Sequence, residues 1–223
     1  MAFVPIALPP DTPTVVTDLI RWAVEPFLTD VHAMLQLPAS ETLPHIGCNL
    51  SIAQVLLASI SGVSAVLYST TGSSRAVFEG FMLDCYPWDA EPARDNVLTG
   101  VDAARILYQE YRNPLTHASG TPVFSVDRGM RRQYKAQPRR VQINRVALES
   151  DKRPGRGLTE QRINELESER VRPPWLPVTL RLEHGNTTLT VEALYWGLRV
   201  AVHRLCSDWT KMQAAVQFFG SGT

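Results

Sequence analysis

From Thr42 to Ser74 the chain carries no Asp, Glu, Lys or Arg. A run that long without charge has to be covered by protein or by lipid, and its internal pattern separates the two. Ile52, Val55, Leu56, Ile60, Val63, Val66 and Leu67 recur at three- and four-residue steps, while Ser, Ala and Gly fill the other face and Gln54 lies inside it. A membrane span is more uniformly apolar. The spacing therefore predicts an amphipathic helix over about 50–69 with a weakly polar back, enclosed by other helices, and no membrane partner.

Helices of that kind need neighbours, and the chain supplies them. Thr12 and Pro13 read as an N-cap and a first helical residue, and Val15, Val16, Leu19, Ile20, Val24, Phe27, Leu28, Val31 and Leu35 keep one face apolar. Pro26 lies inside this stretch and is expected to kink or break it. A weaker helix is expected over 73–85 with Ser74 as its cap, and another over 96–111. After Gly120 the character changes. Residues 121–126 and 139–148 read as strands, 159–171 as a short charged helix, and 178–191 as a hairpin turning at His184-Gly185-Asn186. Val191, Leu194, Tyr195, Leu198, Val202, Leu205, Trp209 and Met212 then mark the most regular helix of all. The expected fold is mainly α (α+β): a helical bundle with a small antiparallel β-sheet or hairpin inserted before the C-terminal helix. Because the bundle needs that last helix, 1–223 is read as a single domain with an inserted, basic, β-containing subregion at about 120–190.

Net charge is zero over 223 residues, so the total selects no polyanionic partner. Its distribution is uneven. Residues 1–127 hold 5 basic and 13 acidic side chains, and residues 128–172 hold 13 basic and 6 acidic ones. Arg131, Arg132, Lys135, Arg139 and Arg140 are the densest part, with Tyr134 among them. Such a segment can follow an RNA backbone, or it can neutralise the acidic part within the fold or across a dimer. Cys48, Cys85 and Cys206 form no CxxC pair and are odd in number, which points to a reducing, cytoplasmic setting. The N-terminus has no basic region ahead of an apolar one and does not read as a secretory signal. His32, His45, His184 and His203 show no metal-ligand spacing, and no phosphate-loop, GxSxG or HExxH motif is present, so no metal and no cofactor is expected.

The chemistry-bearing stretch is "LYQEYRNPLTHASG", Leu107 to Gly120. Pro114 disfavours helix at Asn113, and Asn followed by Pro is also a good helix start. This predicts a helix ending near Arg112 and a fresh turn capped by Asn113. An open helix N-terminus with an arginine beside it suits a phosphate, and His117 one turn on can move a proton near neutral pH. A purely structural reading stands beside this one: Arg112 capping the end of the preceding helix and His117 packed as a satisfied, partly buried histidine.

The run Arg112-Asn113-Pro114-Leu115-Thr116-His117 resembles the R-polar-x3-H motif of the HEPN superfamily, whose members are also helical bundles in which the motif follows a long helix. The resemblance implies a metal-independent endoribonuclease of a toxin, defence or RNA-processing system. It implies a homodimer whose two motifs face one composite site, and a protein partner such as an antitoxin. Arg112 would stabilise charge on the phosphate, His117 would act as acid or base while the ribose 2′-OH attacks to leave a 2′,3′-cyclic phosphate, and Asn113 would orient the pair. The inserted sheet departs from a minimal bundle. It keeps two alternatives open: RNA or nucleotide binding without cleavage, and a non-catalytic helical scaffold with a phosphate-binding site.

Overall fold

The computed structural model describes residues 2–37, 48–68, 72–92, 98–117, 141–146, 157–183, 185–208 and 210; of Thr116 and His117 it describes the backbone alone. Helix α1, Thr14–Leu19, widens into a π-helical turn over Ile20–Val24 and continues as α2, Glu25–Leu35. Pro26 is the reason. It has no N–H for the carbonyl four residues back, and its ring crowds that carbonyl. One extra residue relieves the clash, and Glu25 N–H bonds Ile20 O, five residues back. The helix bends its hydrogen-bond ladder here but does not break. At its start Pro13, not Thr12, takes the N-cap position, and no side chain caps it.

Helix α3, Asn49–Val63, prolonged by a π turn over Ser64–Tyr68, is the uncharged one. It buries Ile52, Ala53, Leu56, Leu57, Ile60 and Val63 and leaves Ser51, Gln54, Ala58, Gly62 and Ala65 exposed. By length and composition the stretch Asn49–Tyr68 could cross a membrane, but half of it is buried inside the bundle, as core helices are. Helix α4, Ser74–Asp84, is capped by Ser73, whose Oγ accepts from Ala76 N–H at 3.3 Å, one residue before the expected cap. A 3₁₀ turn at Trp88–Ala90 follows. Helix α5, Gly100–Ile106, starts at Thr99, which accepts from Asp102 N–H and donates to its carboxylate. It widens over Leu107–Arg112 and runs on as α6, Asn113–His117.

Strand β1 is Val141–Asn144, helix α7 is Glu160–Leu166, β2 is Leu180–Glu183, β3 is Asn186–Thr190, and α8 is Val191–Cys206. The expected hairpin is present: β2 and β3 pair antiparallel with Leu180 opposite Leu189 and Glu183 opposite Asn186. Gly185 in the turn has φ of 79°, which a side chain would disfavour. β1 adds to β3 in parallel, Val141 opposite Thr187, so the sheet is mixed and its order is β1-β3-β2. The strand expected over 121–126, the turn residue His184, and Trp209 and Met212 beyond α8 lie outside the described residues.

Helix α3 packs against α2, α4, α6, α8 and β1, as expected of a central helix, and keeps one exposed face. Helix α8 is more completely enclosed: it passes from β3 into the core with every residue buried except His203 and Arg204. Helices α2, α3 and α7 and strand β3 pack around it. Its two interior charges are tolerated because each meets an opposite charge: Glu192 pairs with Arg145, and Arg199 with Glu169. Among the described residues, one cluster of buried apolar side chains takes in members of every α-helix and every strand.

Candidate functional site

Pro114 acts on the second long helix as Pro26 acts on the first. Asn113 N–H bonds Tyr108 O, five residues back, and Asn113 itself has helical angles of −63° and −50°. The helix expected to end at Arg112 and restart at Asn113 is therefore one continuous rod with a π turn. No open helix N-terminus stands at Pro114, and the phosphate cradle of backbone N–H groups read from the sequence is absent. The extra residue does something else. It rotates the segment from Leu107 to Arg112 so that three consecutive side chains reach three different neighbours.

Glu110 accepts from Thr187 Oγ1 of β3 at 3.0 Å, and Tyr111 donates to Gln142 O of β1 at 3.2 Å. Arg112 turns the other way. Its Nε donates to Ser61 Oγ of α3 at 3.2 Å, its Nη1 to Asn113 Oδ1 at 3.0 Å, and its guanidinium lies 5.3 Å from the centre of the Tyr108 ring. Tyr108 stacks edge-on against Phe78 of α4, so the ring under the arginine is itself braced. Burial holds the Tyr111 phenol well above its usual range. It stays a donor, fixed to the sheet. Arg112 and Asn113 are half-buried and Leu115 is buried, which seats the helix on α3.

Arg112 and Asn113 are thus brought together. The backbone of His117 closes the same helix one turn beyond Asn113, and its side chain lies outside the description. The expected RNA platform, Arg131, Arg132, Lys135, Arg139 and Arg140, also lies outside the described residues. Among the described residues no three His, Cys, Asp or Glu side chains come together as a metal site.

Three of the described tryptophans pack against neighbouring side chains. Trp88 stacks on Tyr86 with ring centres 4.3 Å apart, Trp175 lies under Arg162, and Trp196 lies under Arg172 while donating to Ser168 O. Trp22, which the sequence did not single out, is 82% exposed on the π turn that Pro26 imposes.

The sequence reading also passed over three buried polar clusters. Glu192 is fully buried at the start of α8 and accepts from Arg145 Nε and Val146 N–H, each at 3.1 Å; burial pushes its carboxyl above the usual range, against the pull of Arg145. Glu91 accepts from Thr179 N–H at 2.9 Å, beside Tyr86, whose hydroxyl lies 2.5 Å from Thr179 Oγ1. Burial raises both of these acids and depresses Arg172 near them. Glu167 gathers His32 Nδ1 and Tyr195 Oη, both at 2.7 Å. The signal for such clusters is a charge inside an otherwise apolar helical run, as with Arg199 in "GLRVAV", where a solvated position is not available.

No known protein family, curated protein or solved structure matches the chain.

Proposed function

We propose that the protein is a HEPN-like, metal-independent endoribonuclease that acts as a homodimer, with Arg112, Asn113 and His117 as its catalytic motif. The observation that carries this reading is the setting of Arg112. A half-buried guanidinium is held by Ser61, Asn113 and the Tyr108 ring on a helix that runs straight on to His117. A cation fixed in advance stabilises charge developing on a phosphate without reorganising during the reaction. Its planar fork suits two phosphate oxygens. His117 exchanges the proton of the 2′-OH or of the leaving 5′-oxygen.

In-line attack needs a base on one side of phosphorus and an acid on the other, and a second copy of the motif supplies the second group. The exposed, uncharged face of α3 supports that arrangement, because Ser51, Ala58, Gly62 and Ala65 are small, and a Cβ added at Gly62 would meet nothing within 4 Å among the described residues. Helices approach closely where small residues meet. This face adjoins Ser61, the partner of Arg112.

The test is total RNA incubated with wild type, Arg112→Ala and His117→Ala in the presence of EDTA. Cleavage by wild type alone, with cyclic phosphate ends, is the expected result. Cleavage retained in both variants refutes the assignment.

One observation favours the scaffold alternative. The Arg112–Ser61 bond also staples the motif helix to α3, as a purely structural arginine would. That reading expects no cleavage by wild type and a clear loss of thermal stability in Arg112→Ala.

A further inference from the structure

Residues 3–8, ahead of α1, form neither helix nor strand and are held by polar and charged side chains acting on their main chain. Val4 N–H donates to Glu167 Oε2 at 3.0 Å, and Ile6 N–H donates to Glu25 Oε1 at 2.8 Å. Arg199 donates to Pro5 O at 3.3 Å, Arg21 to Ile6 O at 3.2 Å, and His203 Nδ1 to Ala7 O at 2.5 Å. Carboxylates thus take the N–H groups, and cations and an imidazole take the carbonyls. Position 5, where no carboxylate waits, is the proline, which has no N–H to satisfy.

Three of the five holding groups are built into the core: Glu25, Glu167 and Arg199 are 8%, 2% and 0% exposed, while Arg21 and His203 are partly exposed. His32, 3% exposed, braces Glu167. Arg199 is further tied to Glu169 at 2.6 Å and to Glu167 O at 3.1 Å, and Arg21 pairs with Glu25. Side-chain recognition is sparse by contrast. Ile6 alone is fully buried, Phe3 meets the His32 ring edge-on and the Arg199 guanidinium at 5.3 Å, and Val4 is 42% exposed. The resident segment also leaves polar capacity unused: His32 Nε2 and Arg199 Nε and Nη1 are buried without a hydrogen-bond partner among the described residues. A site that reads main-chain groups, offers one apolar pocket and keeps spare donors is organised as a peptide-binding groove.

We propose that this groove is an exchangeable peptide site, filled in cis by residues 3–8, whose ligand class is an extended apolar segment. That segment has a proline between two residues whose N–H groups are free to donate, and an isoleucine-sized side chain after the proline. Tethering gives the resident segment a high effective concentration, so a free peptide cannot displace it from the intact chain. Ejecting the segment while leaving the groove whole exposes the site.

The experiment uses the full-length chain and a dye-labelled peptide spanning residues 2–8. Ile6→Asp, which places a charge in the one apolar pocket, should bind the peptide at least about 100-fold more tightly than wild type does. The same peptide N-methylated at its Val and Ile nitrogens, which removes the two donated hydrogens, should bind Ile6→Asp at least about tenfold more weakly. Should Ile6→Asp not fold, Val4→Pro, which removes the N–H facing Glu167 and fixes φ at an exposed residue, takes its place in both titrations. No saturable binding to a folded variant overturns the proposal, as does equal binding of the methylated peptide. Failure of both variants to fold overturns it as well, because the segment is then an inseparable part of the core.

Discussion

Arg145→Met is the substitution whose cost the structure sets most directly. Arg145 lies beyond β1 with its side chain only 4% exposed, between the end of α2 and the start of α8. It donates to Glu192 Oε1 at 3.1 Å, Leu37 O at 3.0 Å and Leu35 O at 2.5 Å. Methionine fills much of the volume but leaves Glu192 fully buried without its cation. Removing one partner of a buried pair costs about 3–5 kcal/mol. In a chain of this size that lowers Tm by about 6–20 °C. The pH dependence identifies the cause. Glu192 has a folded-state pKa above its ordinary value of 4.5, so the folded state binds its proton more tightly than the unfolded state does. Stability from this group is complete below the ordinary carboxyl pKa and is lost as pH rises through the folded value. Arg145 opposes that rise, so its removal widens the window upward. The loss in Arg145→Met should therefore be larger at about pH 7.5 than at about pH 5, where only the bonds to Leu35 O and Leu37 O are missed, read by thermal unfolding followed by circular dichroism. Adding Glu192→Gln, which keeps an acceptor for Val146 N–H and removes the charge, should restore most of the loss at the higher pH. An equal loss at both pH values, or no restoration by Glu192→Gln, would refute the reasoning.

Gly197→Ala should destabilise by at least about 1–3 kcal/mol in denaturant unfolding. Its Cβ would stand 2.2 Å from the Tyr86 ring, which is fixed through its hydroxyl to Thr179 and to Ala193 O at 3.1 Å. If the basic segment follows an RNA backbone, reversing charge at Arg131 and Arg132 should lower the slope of log affinity against log salt by about 2, measured by fluorescence anisotropy. Pro114→Ala restores an N–H to the motif helix and removes the cause of its π turn. Helical content should rise or hold while RNA cleavage falls, because Arg112 then rotates off Ser61 and Tyr108.

The hairpin was legible because Leu180, Leu182 and Leu189 alternate around a glycine that the turn requires. Helix α3 was legible because its apolar residues keep helical period over several turns. Its exposed face was not. Absence of charge looked like full depth, yet α8, which contains Glu192 and Arg199, is the more completely enclosed helix. Periodicity reports which positions face inward on one helix, and it is silent on whether another element covers the remaining side. The partners that neutralise Glu192 and Arg199 come from Arg145 and Glu169, far away in sequence, and no local pattern announces them. The parallel pairing of β1 with β3 is likewise non-local. At the candidate site, Arg112 and Asn113 were legible as residues, and their geometry was misread, because the sequence treated Pro114 as a stop.

A proline inside a helix has two outcomes, and the described residues show the widened one twice. Stopping the helix would have given two short rods with a free N-terminus at Asn113, and anion binding would have rested on backbone N–H groups. Widening keeps one rod, occupies those N–H groups and, on the reading proposed, leaves charge recognition to a side chain. That side chain is Arg112. The same operation at Pro26 turns Trp22 outward on the first long helix, where nothing in the described residues covers it. Because a π turn is tolerated only where its neighbours fix it, the anchors at Thr187, Gln142 and Ser61 follow from the proline as much as from the arginine. Phosphate recognition at this site, on the reading proposed, therefore rests on a guanidinium held in place from three sides, with Pro114 as the residue that sets its direction.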